Sequence, residues 1–230
     1  ATNKQGKSAS NYVHFKGLNS RIKKDKLTLV SAYSVPKQNR FFNPFDYKTY
    51  SEAQFISTEE PIEGSDKIKE SIAMVFAYKY IPADPGKYYL YSPDSEEAQE
   101  FCDKNGIRGY NREEMKSCVF YRIEGVGGYE LDEAIEAAQD NNEKAKLINE
   151  RNNLDWKYFD EYINDDYLST LDFSNATNAL QLKGGFYAFK TFDNRKGIIW
   201  VNYLNNFNNP IPITIRRYIF QAVSTENGNN

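Results

Sequence analysis

The chain carries few side chains able to do chemistry, and their spacing restricts it further. The sole histidine, His14, sits beside Phe15 in a lysine-rich stretch. A Ser-His-Asp triad or a histidine-carboxylate metal site would have to use it, and nothing nearby supplies the other members. His14 is therefore expected to be an ordinary strand or surface residue. Cys102 and Cys118 are the two cysteines, and neither belongs to a C-x-x-C pair. Free thiols are expected, with a single bridge as the alternative for an exported chain.

Gly125-Val126-Gly127-Gly128 follows a strand-like stretch and precedes a helical one, where a phosphate-cradling loop would sit. It lacks the Lys-Ser/Thr ending of a Walker loop and the third glycine of a dinucleotide fingerprint. The acids that follow, Glu130, Asp132 and Glu133, would repel a phosphate. The segment reads as a flexible strand-to-helix turn. Asp155, Asp160, Glu161, Asp165 and Asp166 are the densest group of carboxylates, the residue type that holds divalent cations or works in acid-base pairs. They lack Asp-x-Asp-x-Asp-Gly order, and their spacing reads as solvated helix surface. Asn175-Ala176-Thr177 matches a glycosylation acceptor, which matters only after secretion. No catalytic residue, cofactor site or metal ligand emerges, and the chain reads as non-enzymatic.

The element that positions most of these carboxylates is the acidic run over residues 129–167. Leu131, Ala134, Ile135, Ala138, Ala145 and Ile148 recur at three- and four-residue steps, which predicts one buried helical face. The opposite face carries Asp132, Glu133, Glu136, Asp140, Glu143, Lys144 and Glu150. The weak helix formers Asn149, Asn152 and Asn153 predict a break near Asn152, followed by a second segment with Asp155 in its first turn. Trp156, Phe159 and Ile163 form its buried stripe. A helical hairpin and one interrupted long helix both fit.

Strand patterns flank this run on both sides. Residues 12–15 and 27–35 read as strands around a charged turn, and 71–80 pairs with 88–91 across Pro82, Pro85 and Gly86. Ser95 to Phe101 reads as a short helix capped by Asp94 or Ser95 and ended by Asn105-Gly106. Cys118 to Ile123 is a strand. The clearest hairpin joins 186–192 to 198–203 through Asp193 to Gly197. Residues 169–181 read as a polar connection, and 211–223 as a final strand region interrupted at Arg216-Arg217. The expected class is α+β, mainly antiparallel, flanking the helical unit.

With 230 residues and 15% aromatics, led by 18 Tyr and 15 Phe, the composition is that of a folded chain. No run of eighteen apolar residues occurs, so no membrane-spanning helix is expected. No apolar signal core follows Ala1, which fits either a cytoplasmic chain or one whose leader has been removed. The excess of Phe, Tyr, Ile, Asn and Lys over Gly, Ala, Arg and Pro suggests an AT-rich genome.

Charge is divided along the chain. Residues 1–48 hold ten Lys or Arg against two Asp, a net of +8, while residues 128–172 hold thirteen acids against four bases, a net of −9. The expected organisation is a basic N-terminal arm over 1–48, with short strands and an aromatic anchor segment, then one α+β domain over 49–230. In the arm, Arg21, Lys23, Lys24 and Lys26 are candidate contacts for acidic protein or for nucleic acid. Phe41, Phe42, Phe45 and Tyr47 anchor the arm on its own domain or plug a neighbouring subunit. Glu136, Asp140 and Glu143 are the candidate acidic docking residues. The expected function is a structural subunit of a large assembly, with a connector or ring protein of a phage as the favoured form. Its partners would be copies of itself and other assembly proteins. The alternatives are a nucleic-acid-binding accessory protein and an exported surface or adhesion protein.

Overall fold

A computed structural model describes residues 27–29, 39–46, 48–51, 65–81, 84–107, 109–202 and 213–220. The expected strands at 12–15 lie outside the described residues, as do His14, Arg21, Lys23, Lys24, Lys26 and Tyr47.

Alternating apolar residues with two different burial partners build the architecture. In β4 (Met74–Ile81), Met74, Phe76 and Tyr78 face one apolar cluster, while Val75 and Ala77 face another. In β8 (Gly185–Thr191), Tyr187 and Phe189 join the first cluster, and Phe186 and Ala188 join a third. In β9 (Lys196–Val201), Ile199 and Val201 point one way, Ile198 and Trp200 the other. Strands buried on both faces read as continuous apolar runs, and two stacked sheets are the outcome.

Both sheets are five-stranded and antiparallel throughout. The first orders β1 (Leu27–Leu29), β10 (Ile213–Phe220), β9, β8 and β6 (Cys118–Ile123). The second orders β3 (Lys48–Ser51), β2 (Asn39–Asn43), β4, β5 (Asp84–Tyr91) and β7 (Ala179–Leu182). The central core between them includes Phe42, Phe76, Tyr88, Phe120, Tyr187 and Phe189. Each such side chain contributes about 1.5–3 kcal/mol on burial. Helices cover the two outer faces, giving four layers, α/β/β/α.

The outer face of the second sheet is covered by α2 (Glu96–Lys104), which follows α1 (Ser65–Ser71). Ser95 caps α2, its hydroxyl accepting from the Ala98 amide at 3.1 Å, with Glu96 and Glu97 in the first turn. Asn105 and Gly106 end it, Gly106 at φ 69°. The outer face of the first sheet is covered by α3 (Asp132–Ala137), α4 (Asn141–Tyr162) and α5 (Asp165–Ser169). The expected α+β class is the observed one, with antiparallel sheets; the acidic run lies outside the pair, on the first sheet.

The details of that run differ from the sequence reading. The break falls at residues 138–140, and α4 continues unbroken through Asn149, Asn152 and Asn153. Asp140 starts it by accepting from the amides of Asn142 at 3.0 Å and Glu143 at 2.8 Å. A good cap fixes a helix start, whereas asparagine's propensity deficit is only a few tenths of a kcal/mol per residue and packing overrides it. Ala134, expected inward, is exposed, and Asp132, expected outward, is buried. The polar connection over 169–181 contains β7 and a bridge from Thr177 to Phe120. Strand β10 runs through Arg216 and Arg217 without interruption, opposite Trp200 and Ile199.

The division expected at residue 48 runs through a strand pair. β1 pairs with β10, and β2 lies between β3 and β4. Phe41 and Phe42 are fully buried on opposite faces of β2, Phe41 beneath α2 and Phe42 in the central core. Their rings are thus anchors within their own domain, where β2 alternation sends one to each core. Cys102 and Cys118 are free and buried in different clusters, with the second sheet between them.

Candidate functional site

The densest chemistry among the described residues lies beneath α4, where three buried charged side chains meet the partly buried Arg122. Arg151 is 1% exposed, Asp155 0% and Asp132 9%. Arg151 Nε donates to Asp132 Oδ1 at 2.8 Å, and its Nη1 pairs with Asp155 Oδ1. Arg122 Nη2 reaches Asp132 Oδ2 at 2.5 Å and the Gly184 carbonyl at 2.9 Å. Trp200 Nε1 donates to Asp155 Oδ2 at 3.2 Å, and the Gly128 amide donates to Asp155 Oδ1 at 3.0 Å. Two guanidinium groups and two carboxylates alternate, so the network is neutral overall.

Six separate pieces of chain meet here, the link at Gly184 among them. β6 supplies Arg122, the Gly125–Gly128 turn supplies an amide, α3 supplies Asp132, α4 supplies Arg151 and Asp155, and β9 supplies Trp200. The turn comes close because Gly127 and Gly128 lack side chains. A Cβ on Gly127, whose φ is 61°, would lie 2.2 Å from Asp155 Oδ1. That turn, read from sequence as flexible, is bonded to α4 through the Gly128 amide and Asp155.

Electrostatics at Asp155 are a balance. Burial pushes its carboxyl above the ordinary value, while Arg151 and the donors on Gly128 and Trp200 pull it down. Each carboxylate oxygen already accepts a hydrogen bond, so the group spans elements and presents no free lone-pair face toward solvent. The chemistry of this arrangement is tethering: it fixes the helical layer on the sheet at a defined angle.

The sequence-selected residues are distributed elsewhere. Of the carboxylate group, Asp155 turns inward, while Asp160, Glu161 and Asp166 are exposed. Among the described residues no three His, Cys, Asp or Glu side chains lie close enough together to hold a metal ion. Glu136 is exposed and pairs with Lys183 at 2.5 Å. Asp140 is the cap of α4, and Glu143 lies exposed in its first turn. Phe45 is half-buried, with the Arg195 guanidinium 3.4 Å from its ring centroid and the Phe189 ring at 6.1 Å. Sequence reading missed Arg122, Asp132 and Arg151 as a unit. The signal available was Ile148, Arg151, Asp155 and Phe159 at three- and four-residue steps, a charged pair inside an apolar stripe.

The geometry defines a class: a four-layer α+β protein of two antiparallel sheets, locked on one side by a buried ionic network. No described helix is long and apolar enough to cross a membrane. No protein-family model matches the chain, and no curated protein matches it. It is similar to the crystal structure of a DUF4466 family protein from Parabacteroides merdae, with a TM-score of 0.51 at 14% identity. The match covers 86% of this chain and 52% of that one, so the chain spans about half the length of its structural neighbour. At that identity the likeness concerns the fold.

Proposed function

We propose that the chain is a non-enzymatic subunit of a multi-protein assembly, joined to its neighbours by charge complementarity. The form of assembly we favour is a phage virion component, such as a connector or ring protein. The observation that carries the reading is the separation of charge: +8 over residues 1–48 and −9 over residues 128–172. Much of the negative charge lies on the outer surface of the helical layer, where Glu133, Glu143, Glu150, Asp160, Glu161 and Asp166 are exposed. Opposite charges placed on different parts of one subunit suit head-to-tail contacts between copies.

Sedimentation of the purified chain over a range of concentrations, at low and at high salt, tests this. The expected result is association at low salt that salt reverses. A chain that stays monomeric at high concentration and low salt, and retrieves no partner from its source, overturns the reading. Steeply salt-dependent binding of DNA or RNA by a chain that does not self-associate transfers the function to the nucleic-acid alternative.

A further inference from the structure

We propose that the tip of the β8–β9 hairpin, with the Phe173 ring beside it, is a binding surface for single-stranded nucleic acid. The inference goes beyond the assembly reading and uses none of residues 1–48.

Three lysines and two rings build the surface. Lys190 of β8 and Lys196 of β9 stand directly opposite one another in the strand register. Like charges so placed destabilise a sheet unless an anion offsets them. Phe173 joins them on the face turned away from the central core. The Lys190 ammonium lies 5.4 Å from its ring centroid and the Lys196 ammonium 5.6 Å. The ring is braced edge-on against Tyr121 of β6 at 5.2 Å. Two positions beyond Lys190, Phe192 is 52% exposed, with the Lys116 ammonium 5.4 Å from its centroid. The Phe192 amide donates to the Ser117 carbonyl at 3.0 Å, so its backbone is held against the chain leading into β6.

The other cations of this hairpin have their acids. Lys183 is paired with Glu136 at 2.5 Å and Arg195 with Asp193 at 2.7 Å. Lys116, Lys190 and Lys196 make no ion pair among the described residues. Lys196 donates to the Leu171 carbonyl at 3.1 Å, which fixes its direction. The Asp172 carboxyl is held below its ordinary value, chiefly by the Ser174 hydroxyl at 2.8 Å and amide at 3.0 Å, and less by Lys196.

Unpaired ammonium groups take phosphates, and an exposed ring takes the face of a base. Lys190 and Phe192 lie about 6.6–6.8 Å apart along the strand, so a phosphate and a neighbouring base can be held together. A duplex keeps its bases stacked inside, so Phe192 serves an unpaired strand. An acidic peptide would use the lysines and leave that ring uncovered.

Fluorescence anisotropy of a labelled oligothymidine, about 12 nucleotides long, with the full chain tests this. Lys190→Gln with Lys196→Gln should weaken binding at least about tenfold and reduce the salt slope by about 1.4, two contacts at about 0.7 each. Phe192→Ala should weaken binding at least about fivefold and leave the salt slope unchanged. Lys190→Arg with Lys196→Arg should bind as the parent does, because the charge is kept. Circular dichroism checks folding; if the glutamine variant unfolds, Phe192→Ala decides alone. A parent that does not bind overturns the proposal. So does retained binding in the hairpin variants when Lys23→Gln with Lys24→Gln abolishes it. Loss in the lysine variant without loss in Phe192→Ala, with polyglutamate bound as tightly as the oligonucleotide, makes the occupant an acidic protein segment and also overturns it. The assembly reading is decided separately, by self-association in sedimentation.

Discussion

The two outer faces of the sheet pair are closed by different chemistry. α2 covers the second sheet with Ala98, Phe101 and Cys102, packed on Phe41, Val75 and Tyr91, and Tyr110 seals the rim by donating to the Pro93 carbonyl. The α3–α5 layer covers the first sheet with Phe159, Ile163 and Leu168 and adds the Arg122–Asp132–Arg151–Asp155 network. An apolar cover tolerates small shifts, because dispersion and area burial have little directionality. An ionic cover does not, because each partner left alone keeps its desolvation cost.

The largest effect expected from this contrast is at Asp155. Asp155→Ala leaves Arg151 buried beside one remaining carboxylate and should cost about 3–5 kcal/mol in urea unfolding. Tyr110→Phe, which removes a buried hydrogen bond from the other cover, should cost only about 1 kcal/mol. Equal losses would erase the distinction between the two covers.

Two glycines sharpen it. Gly127→Ala and Gly106→Ala both force alanine into the left-handed region, at φ 61° and 69°. That strain is about 1–2 kcal/mol in each. A new methyl at Gly106 meets nothing within 4 Å, whereas at Gly127 it meets the Asp155 carboxylate. Gly127→Ala should therefore lower the unfolding midpoint clearly more.

Between the covers, Tyr187 tests the central core. Burial raises its phenol to about 12 from an ordinary 10.0, while the Lys183 amide and the nearby Arg122 oppose the rise. A raised acid keeps its proton in the folded state, so its contribution is fully present below pH 10 and is lost as pH rises toward 12. The unfolding midpoint should fall over that window, and Tyr187→Phe should flatten the fall. An unchanged profile in the variant would place the alkaline sensitivity elsewhere.

The smallest effects belong to the caps, one for each cover. Ser95→Ala in α2 and Asp140→Ala in α4 should each cost about 1 kcal/mol by thermal unfolding. Near-equality would show that the covers differ in their inner faces and not in how their helices begin.

Much of the fold was legible where signals are local. The β8–β9 hairpin, the β4–β5 pair and the Ser95 cap follow from alternation, turn residues and one hydroxyl at a helix start. The break before α4 was misplaced because Asp140 was taken as part of a charged face, when its carboxylate was needed by the amides of Asn142 and Glu143. The buried network was not legible as a unit. Arg151 reaches Asp132 across 19 positions, and Asp155 meets Trp200 across 45 and Gly128 across 27. A charged residue on a helix is ordinarily solvated, and the one local mark of an exception is the place of Arg151 and Asp155 inside the Ile148–Phe159 stripe; nothing local marks Arg122 or Asp132.

The sequence by itself determined the β4–β5 and β8–β9 strand pairs, the Ser95-capped helix and the division of charge between residues 1–48 and 128–172, because each depends on neighbours along the chain. Tertiary structure alone decided which acids are spent and which remain. Stacking the sheets buried Asp132 and Asp155 against two arginines, and the same packing left Asp160, Glu161 and Tyr162 on the outside. Both sets of carboxylates look alike in sequence; the desolvation that separates them exists only once distant segments meet.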